Sequence, residues 1–255
     1  MSKKRIIKPL RNLYDLTSNG AGQISILVLI FAVICLSGCK DDKLEPGIED
    51  QYKTYFPLAA GHWVEYDADS VVHLDIDDAY YIDTAIRTYS FQIREEIDSS
   101  YIDSEGDVAW RISRYKRYTD ADPWTYLNLW TAKMNAYSGQ KVEDNIRFIK
   151  LSFPLDPRTS WNGNAYNNYP PEEYLYENIH DPLSIGSHSF DSTVMVIQND
   201  FVSGINKIDK REVYAAGVGM ISKVQDSINT VHLPNGAVVV LNGSEYSLQI
   251  RDFKR

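Results

Sequence analysis

Hydrophobic and polar residues alternate with a period of two along much of the chain. Tyr246, Leu248 and Ile250 are separated by single polar residues, and Phe91 and Ile93 repeat the pattern. Successive side chains of a β-strand point to opposite faces of the sheet. Each run therefore predicts a strand with one buried and one solvated face.

Turn-forming dipeptides separate these runs, and Asn-Gly is the strongest of them because both positions tolerate positive φ. The dipeptides are Glu105-Gly106, Ser138-Gly139, Asn162-Gly163, Pro170-Pro171, Ser203-Gly204, Asn235-Gly236 and Asn242-Gly243. Their spacing predicts about ten antiparallel strands. A short helix or irregular turn is expected around residues 171–180, and no long amphipathic helix pattern with caps is found.

The fold class expected from this pattern is mostly β, as a single antiparallel domain. A long meander must protect its edge strands, so we expect a curved, barrel-like sheet, with a two-sheet sandwich as the alternative. The composition fits, because 18 tyrosines outnumber 8 phenylalanines and 5 tryptophans. Tyrosine can bury its ring in a strand while its hydroxyl stays wet.

The N-terminal residues indicate where the protein is located. Basic residues such as Lys3 and Arg5 precede an uncharged stretch from Ile24 to Leu36. That stretch is shorter than the roughly 20 residues that span a bilayer, which favours a secretory signal peptide over an uncleaved anchor. The tetrapeptide Leu36-Ser37-Gly38-Cys39 that follows resembles the lipobox of bacterial type II signal peptides. The resemblance implies removal of residues 1–38 and a diacylglycerol and a further acyl chain on Cys39, a stable membrane anchor.

The residues after the lipobox carry a second resemblance. Lys40, Asp41 and Asp42 resemble the export signal of Bacteroidota surface lipoproteins, although an ordinary polar linker would look similar. The resemblance implies a lipid-anchored protein on the extracellular face of the outer membrane. Residues 39–54 are then a polar, lipidated tether, and residues 55–255 are the β-rich domain.

Charge and cysteine content exclude several classes of function. The net charge of −9 argues against nucleic acid as a partner, because nucleic-acid binders need clustered cations. Cys35 leaves with the signal peptide and Cys39 is acylated, so no disulfide, thiolate metal site or cysteine nucleophile is expected. The remaining partners are the membrane, through the lipid, and a glycan or envelope protein; the oligomeric state stays open.

Four segments resemble a group of uncharacterised Bacteroidota lipoproteins. They are residues 55–71, 146–167, 190–201 and 211–223, and they contain FPL-x-x-G-x-x-W-x-x-Y, W-x-G-N and Y-A-x-G-V-G patterns. The resemblance implies a single-domain lipoprotein of the outer membrane. It assigns no activity and no site residue.

Catalytic and cofactor motifs are missing from the sequence. It has no G-x-S-x-G, S-x-x-K or H-E-x-x-H pattern, and neighbours such as His180 and Asp181 are common in loops. Gly217 and Gly219 lack the third glycine and the helix of a dinucleotide site, so a tight bend before a strand at 220–227 is expected. The aspartates from Asp67 to Asp83 do not follow the EF-hand order and predict a solvated face. We therefore expect a protein that is not an enzyme and has no cofactor and no metal.

A loop rich in aromatic and amide side chains is the candidate ligand-binding site. It contains Trp161, Asn162, Asn164, Tyr166 and Tyr169. Such side chains stack on sugar rings and hydrogen-bond to hydroxyls. The alternative is that the loop plugs a barrel end.

Two further sets of residues are candidates for other roles. The first set is four cations on a single predicted strand, Arg111, Arg114, Lys116 and Arg117. They either bind an anionic ligand or, as we favour, pair with acids on neighbouring strands. Four sites resemble the Bacteroidota O-glycosylation sequon and must be solvent-exposed if they are used; they are Ser70, Thr84, Ser192 and Ser227.

The function expected is that of a non-catalytic surface lipoprotein that binds a ligand or partner or has a structural role. One alternative is a lipid or lipoprotein carrier, which requires a deep apolar cavity. The other is a glycan-binding or glycan-active accessory protein, which requires exposed aromatic rings beside amides or carboxylates.

Overall fold

Twelve β-strands make up most of the part of the chain that the computed structural model describes, residues 52–74 and 85–255. The strands are β1 Trp63–Leu74, β2 Ala85–Ile102, β3 Val108–Arg117, β4 Thr125–Met134, β5 Ser138–Glu143, β6 Ile146–Ser152, β7 Ser160–Asn162, β8 Glu173–Ile185, β9 His188–Val202, β10 Asn206–Ala215, β11 Gly219–His232 and β12 Val238–Lys254. Within these residues no helix has the length and apolar character needed to cross a bilayer.

All twelve strands belong to one antiparallel sheet in the order β6-β5-β4-β3-β2-β1-β12-β11-β10-β9-β8-β7. The first and last strands pair side by side in the middle of this order, and the sheet curls into a nearly closed barrel. The seam lies between β6 and β7, where the Ile149 amide donates a hydrogen bond to the Gly163 carbonyl at 2.9 Å. The mostly-β, barrel-like prediction is confirmed, with twelve strands instead of about ten, and the sandwich alternative is wrong.

Most of the predicted turns are found, but two dipeptides lie inside strands. Gly243 lies inside β12 in register with Ile228 of β11, where its φ of 129° and the approach of the Ser227 carbonyl leave no room for a side chain. Gly139 belongs to β5, where a Cβ atom would lie 2.9 Å from the Phe56 ring. Both glycines serve close packing against a neighbour, which local sequence does not distinguish from a turn. Gly217 and Gly219 form the tight bend expected before β11.

The helix or irregular turn expected around residues 171–180 is also wrong. The segment is the first part of β8, and its irregularity is that of a bulged strand. Asn178 and His180 have positive φ values of 52° and 65°, and the register with β9 shifts between Glu177 and Asp181. These bulges hide the alternation that marks a regular strand.

A short segment before β1 closes one end of the barrel, and we call residues 52–58 the plug. Tyr55 and Phe56 are buried against the apolar interior, and the Gly217 amide donates to the Thr54 carbonyl at 2.8 Å. The same interior holds Ile112 of β3 and Tyr214 of β10. The plug end of the barrel is therefore filled with apolar side chains.

Candidate functional site

A polar cavity of about 440 Å³ lies in the barrel interior, on the side away from the plug. Strands that run from the plug end to the cavity show that the two lie at opposite ends of the barrel. In β5, Gly139 lies under Phe56 of the plug, whereas Glu143 at the other end of the strand lines the cavity. In β3, Ile112 packs in the apolar core, and Arg114 two residues later reaches the cavity. Strands β3 to β6 and β8 to β12 all contribute side chains to the wall.

The inner boundary of the cavity is a buried network of charges that we call the ionic floor, formed by Glu143, Lys150, Glu212 and Lys223. The Lys150 ammonium lies 2.9 Å from a carboxylate oxygen of Glu143 and 2.9 Å from one of Glu212. Lys223 lies 3.3 Å from the same Glu212 oxygen. Glu212 is fully buried, so its charge depends on these lysines.

Opposing effects act on the ionisation of the floor. Burial raises the pKa of Glu143 and of Glu212, but Lys150 and Lys223 outweigh it, so both pKa values are lower than usual. Burial lowers the pKa of Lys150, but the two carboxylates outweigh it and raise the pKa. Glu143, Glu212 and Lys150 are therefore charged at neutral pH. No carboxylic acid of the floor is held protonated as a general acid would be.

A second ionic group lies between the cavity and the apolar core. Glu95 accepts from Arg114 Nε at 2.9 Å and from Lys141 Nζ at 2.7 Å. The Arg114 guanidinium also lies 3.5 Å over the Trp130 ring, a cation–π contact. Burial raises the pKa of Glu95, but Lys141 and Arg114 outweigh it and lower the pKa.

The mouth of the cavity carries polar and aromatic side chains. Lys210 Nζ lies 3.0 Å from Glu172, which also accepts from Asn199 at 2.9 Å. The rings of Phe148 and Tyr169 contact each other at a centroid distance of 6.4 Å. The mouth therefore offers an apolar ring surface beside hydrogen-bonding groups.

Two wall residues offer hydrogen bonds without a full charge. Gln198 lines the cavity and is only 7% exposed, yet its Nε2 has no hydrogen-bond partner among the described residues. A buried donor without a partner is costly and calls for an explanation. Burial raises the pKa of Tyr246 to about 12, so its hydroxyl remains a donor at neutral pH.

The predicted binding loop reaches the mouth of this cavity, but its members have different positions. Asn164 and Tyr169 line the cavity. Trp161 instead packs on Tyr176 at a centroid distance of 4.6 Å and donates to the Ile149 carbonyl at 3.0 Å. Trp161 thus packs against the apolar core near the seam and does not line the cavity.

The other two members of the predicted loop do not line the cavity. Tyr166 is exposed, and the Arg147 guanidinium lies 5.6 Å from its ring. Asn162 accepts from the backbone amides of Asn164 and Glu172 through its side-chain oxygen, which fixes the shape of the loop. Asn162 therefore acts on the mouth of the cavity through the backbone of the loop.

Five residues that build the cavity were not among the sequence candidates. They are Glu143, Lys150, Gln198, Glu212 and Lys223. They could have been recognised in the sequence as charged or amide residues at strand positions whose side chains face the interior, such as Lys150 between Ile149 and Leu151. Polar residues at interior positions of a strand are exceptional and often mark a site.

The crowded cations of β3 follow the favoured prediction only in part. Arg114 pairs with Glu95 on the neighbouring strand β2, whereas Arg117 lies 3.1 Å from Asp120 in the loop after β3. Arg111 lies over the Tyr101 ring, and Lys116 lies over the Phe91 ring.

The glycosylation candidates differ in exposure. Ser227 is exposed and Ser70 is half-buried. The Ser192 hydroxyl lies 2.6 Å from the Tyr55 hydroxyl and 3.2 Å from His180 Nδ1, so it holds the plug in place. Thr84 lies outside the described residues, as do Cys39, Lys40, Asp41 and Asp42.

Two other places could have held a ligand of a different kind. Asp103, Glu105 and Asp107 converge as metal ligands would, but Lys133 fills their centre, 2.8 Å from both aspartates. A second, apolar cavity beside the plug has a volume of only about 70 Å³. Small-molecule sites commonly have about 300–1,000 Å³, so this apolar space is small for a lipid.

No family model matches this chain, and no curated protein matches it.

Proposed function

We propose that this protein is a non-catalytic lipoprotein, anchored at the surface of the outer membrane, whose barrel binds a small polar ligand. The observation that carries the proposal is the polar cavity of about 440 Å³, open on the side away from the plug. Its volume lies within the usual range of small-molecule sites. Charged groups, amides and aromatic rings converge on it from nine strands.

The geometry favours binding over catalysis. The buried carboxylates of the ionic floor are ionised and engaged by lysines, so they are poorly suited to donate a proton. The volumes and linings of the two cavities also favour a polar ligand over a lipid. The apolar cavity is small, and the large cavity has Lys150, Lys223 and Gln198 in its wall. A lipid-carrier function has less support for this reason.

The ligand proposal is tested with the full-length chain purified in detergent. Thermal unfolding is followed while neutral sugars, sugar acids, amino acids and nucleosides are added one at a time. A ligand that binds only the folded state raises the midpoint in a concentration-dependent way. We expect at least one polar compound to do so.

Variants show whether such a ligand occupies the cavity. Gln198→Leu should abolish or weaken the shift, whereas Gln249→Leu, on the exposed outer face of β12, should leave it unchanged. A shift that survives Gln198→Leu in full, or no shift with any compound, would contradict the proposal.

The anchor rests on the lipobox and is tested separately. Cells that express the chain in a host that processes lipoproteins are labelled with palmitate. We expect label in the wild-type protein and in Cys35→Ser, and none in Cys39→Ser, because Cys39 is the cysteine of the lipobox and Cys35 lies before it. Digestion of intact cells by an added protease then reports surface exposure. Equal labelling of both variants would refute lipidation at Cys39. Full protection from protease would refute surface exposure.

A further inference from the structure

We infer that the ligand is a neutral saccharide that enters the cavity by one end of its chain. This inference rests on the proposed binding function and narrows it to one class of ligand and one mode of entry. Three features of the cavity carry it: the pairing of its charges, the chemistry of its mouth and its closed inner end.

Each of the four cations that line the cavity already has a carboxylate within 3.3 Å. Lys150 and Lys223 are paired in the ionic floor, Lys210 with Glu172, and Arg114 with Glu95; the remaining acid of the wall, Asp144, accepts hydrogen bonds from Asn128 and Trp130. A charged ligand would compete with these pairs, and separating a buried pair is costly. A neutral ligand leaves the pairs intact.

The mouth combines ring surfaces with groups that donate and accept hydrogen bonds. Phe148 and Tyr169 present aromatic rings at the mouth, and Gln198 and Tyr246 add polar groups in the wall. A sugar has apolar C–H faces that stack on such rings and hydroxyls that both donate and accept. The Gln198 amide, which has no partner for its Nε2 in the described chain, would gain one from a hydroxyl.

The inner end of the cavity is blocked. Behind the ionic floor, the Tyr214 hydroxyl donates to Glu212 at 2.6 Å, and the plug side chains fill the space beyond. A polymer cannot thread through the barrel. Only a chain terminus or a free short saccharide can reach Gln198 from the mouth.

The test uses the full-length chain in detergent and isothermal titration. The probes are neutral trisaccharides of glucose, galactose, mannose, xylose and N-acetylglucosamine, with a galacturonic acid trisaccharide and lysine as charged counterparts. We expect at least one neutral trisaccharide to bind. Tyr169→Ala and Gln198→Leu should each weaken it about tenfold or more. Tyr137→Ala, an exposed tyrosine at the plug end, is the matched control and should bind like the wild type.

Entry by one end is tested with a long polymer of the sugar that binds. Sedimentation should show saturation at no more than one protein per polymer end, whereas binding along the polymer would give many bound proteins per polymer chain. Many proteins per chain would overturn end entry. Binding of charged probes alone would overturn the inference of a neutral saccharide and leave the proposed function standing. If neither these probes nor the broader polar panel binds, both fall.

Discussion

At the scale of single residues, the fully buried Glu212 shows how closely this barrel depends on charge pairing. It lies on β10 and contacts Lys150, Lys223 and the Tyr214 hydroxyl. An unpaired carboxylate at such depth is strongly destabilising, whereas a well-paired one is tolerated. Lys150 is the central cation, because it lies 2.9 Å from both floor carboxylates.

Removal of that central cation should therefore lower stability sharply. We expect Lys150→Met to reduce the free energy of unfolding by about 3–5 kcal/mol, since two buried carboxylates then share only Lys223. Urea denaturation followed by tryptophan fluorescence measures it. Lys254→Met, an exposed lysine at the end of β12, is the control and should change stability by less than about 0.5 kcal/mol. Equal effects of the two variants would show that the floor contributes nothing specific.

At the scale of elements, bulges decide where strands bend and where pairing stops. In β8 the positive φ values of Asn178 and His180, with Pro182 beyond them, interrupt the regular pairing with β9. Bulges and proline protect an exposed strand edge from pairing with another chain. In β12, position 243 requires glycine because of its contact with β11, where the Ser227 carbonyl occupies the place of a side chain.

A methyl group at Gly243 should disrupt the pairing of β11 and β12. In Gly243→Ala the added Cβ atom would lie 2.2 Å from the Ser227 carbonyl oxygen, at a φ that side chains rarely adopt. We expect a loss of about 2 kcal/mol or more in the free energy of unfolding. Gly204→Ala is the control, because the nearest atom there is 3.9 Å away, and it should change stability by no more than about 0.5 kcal/mol. A wild-type midpoint for Gly243→Ala would argue against this close contact between β11 and β12.

At the scale of the whole molecule, the two ends of the barrel differ in chemistry. The plug closes one end with apolar side chains, and the cavity opens at the other with charged and aromatic ones. The ionic floor separates the two environments across the interior. Because the floor joins β5, β6, β10 and β11, its charge state affects the barrel as a whole and not one strand pair.

Acid should consequently destabilise the whole domain in a defined direction. Glu143 and Glu212 have folded pKa values below the ordinary 4.5. The unfolded state then binds protons first as the pH falls, so their contribution is present above about pH 4.5 and is lost as the pH falls toward the folded values. Urea denaturation between pH 7 and pH 3 measures this loss. It should be smaller in Lys150→Met, whose carboxylates lack their main partner. An identical pH profile in both proteins would contradict the assignment.

The sequence by itself determined the local features of this protein: the alternating strands, most turns and the bend at Gly217 and Gly219. Each of these depends on neighbouring residues and on backbone preference alone. The binding loop could be predicted in part, since its amides and aromatic rings stand together in the sequence. Its position at a cavity mouth could not.

Only the tertiary structure decided the closure of the barrel and the composition of its cavity. β1 pairs with β12 across nearly the whole length of the described chain, and Lys150 meets Glu212 from 62 residues away. The alternation along a strand predicts which side chains point inward, but it does not predict which of them contact each other. That depends on register and closure, which are set by all twelve strands together.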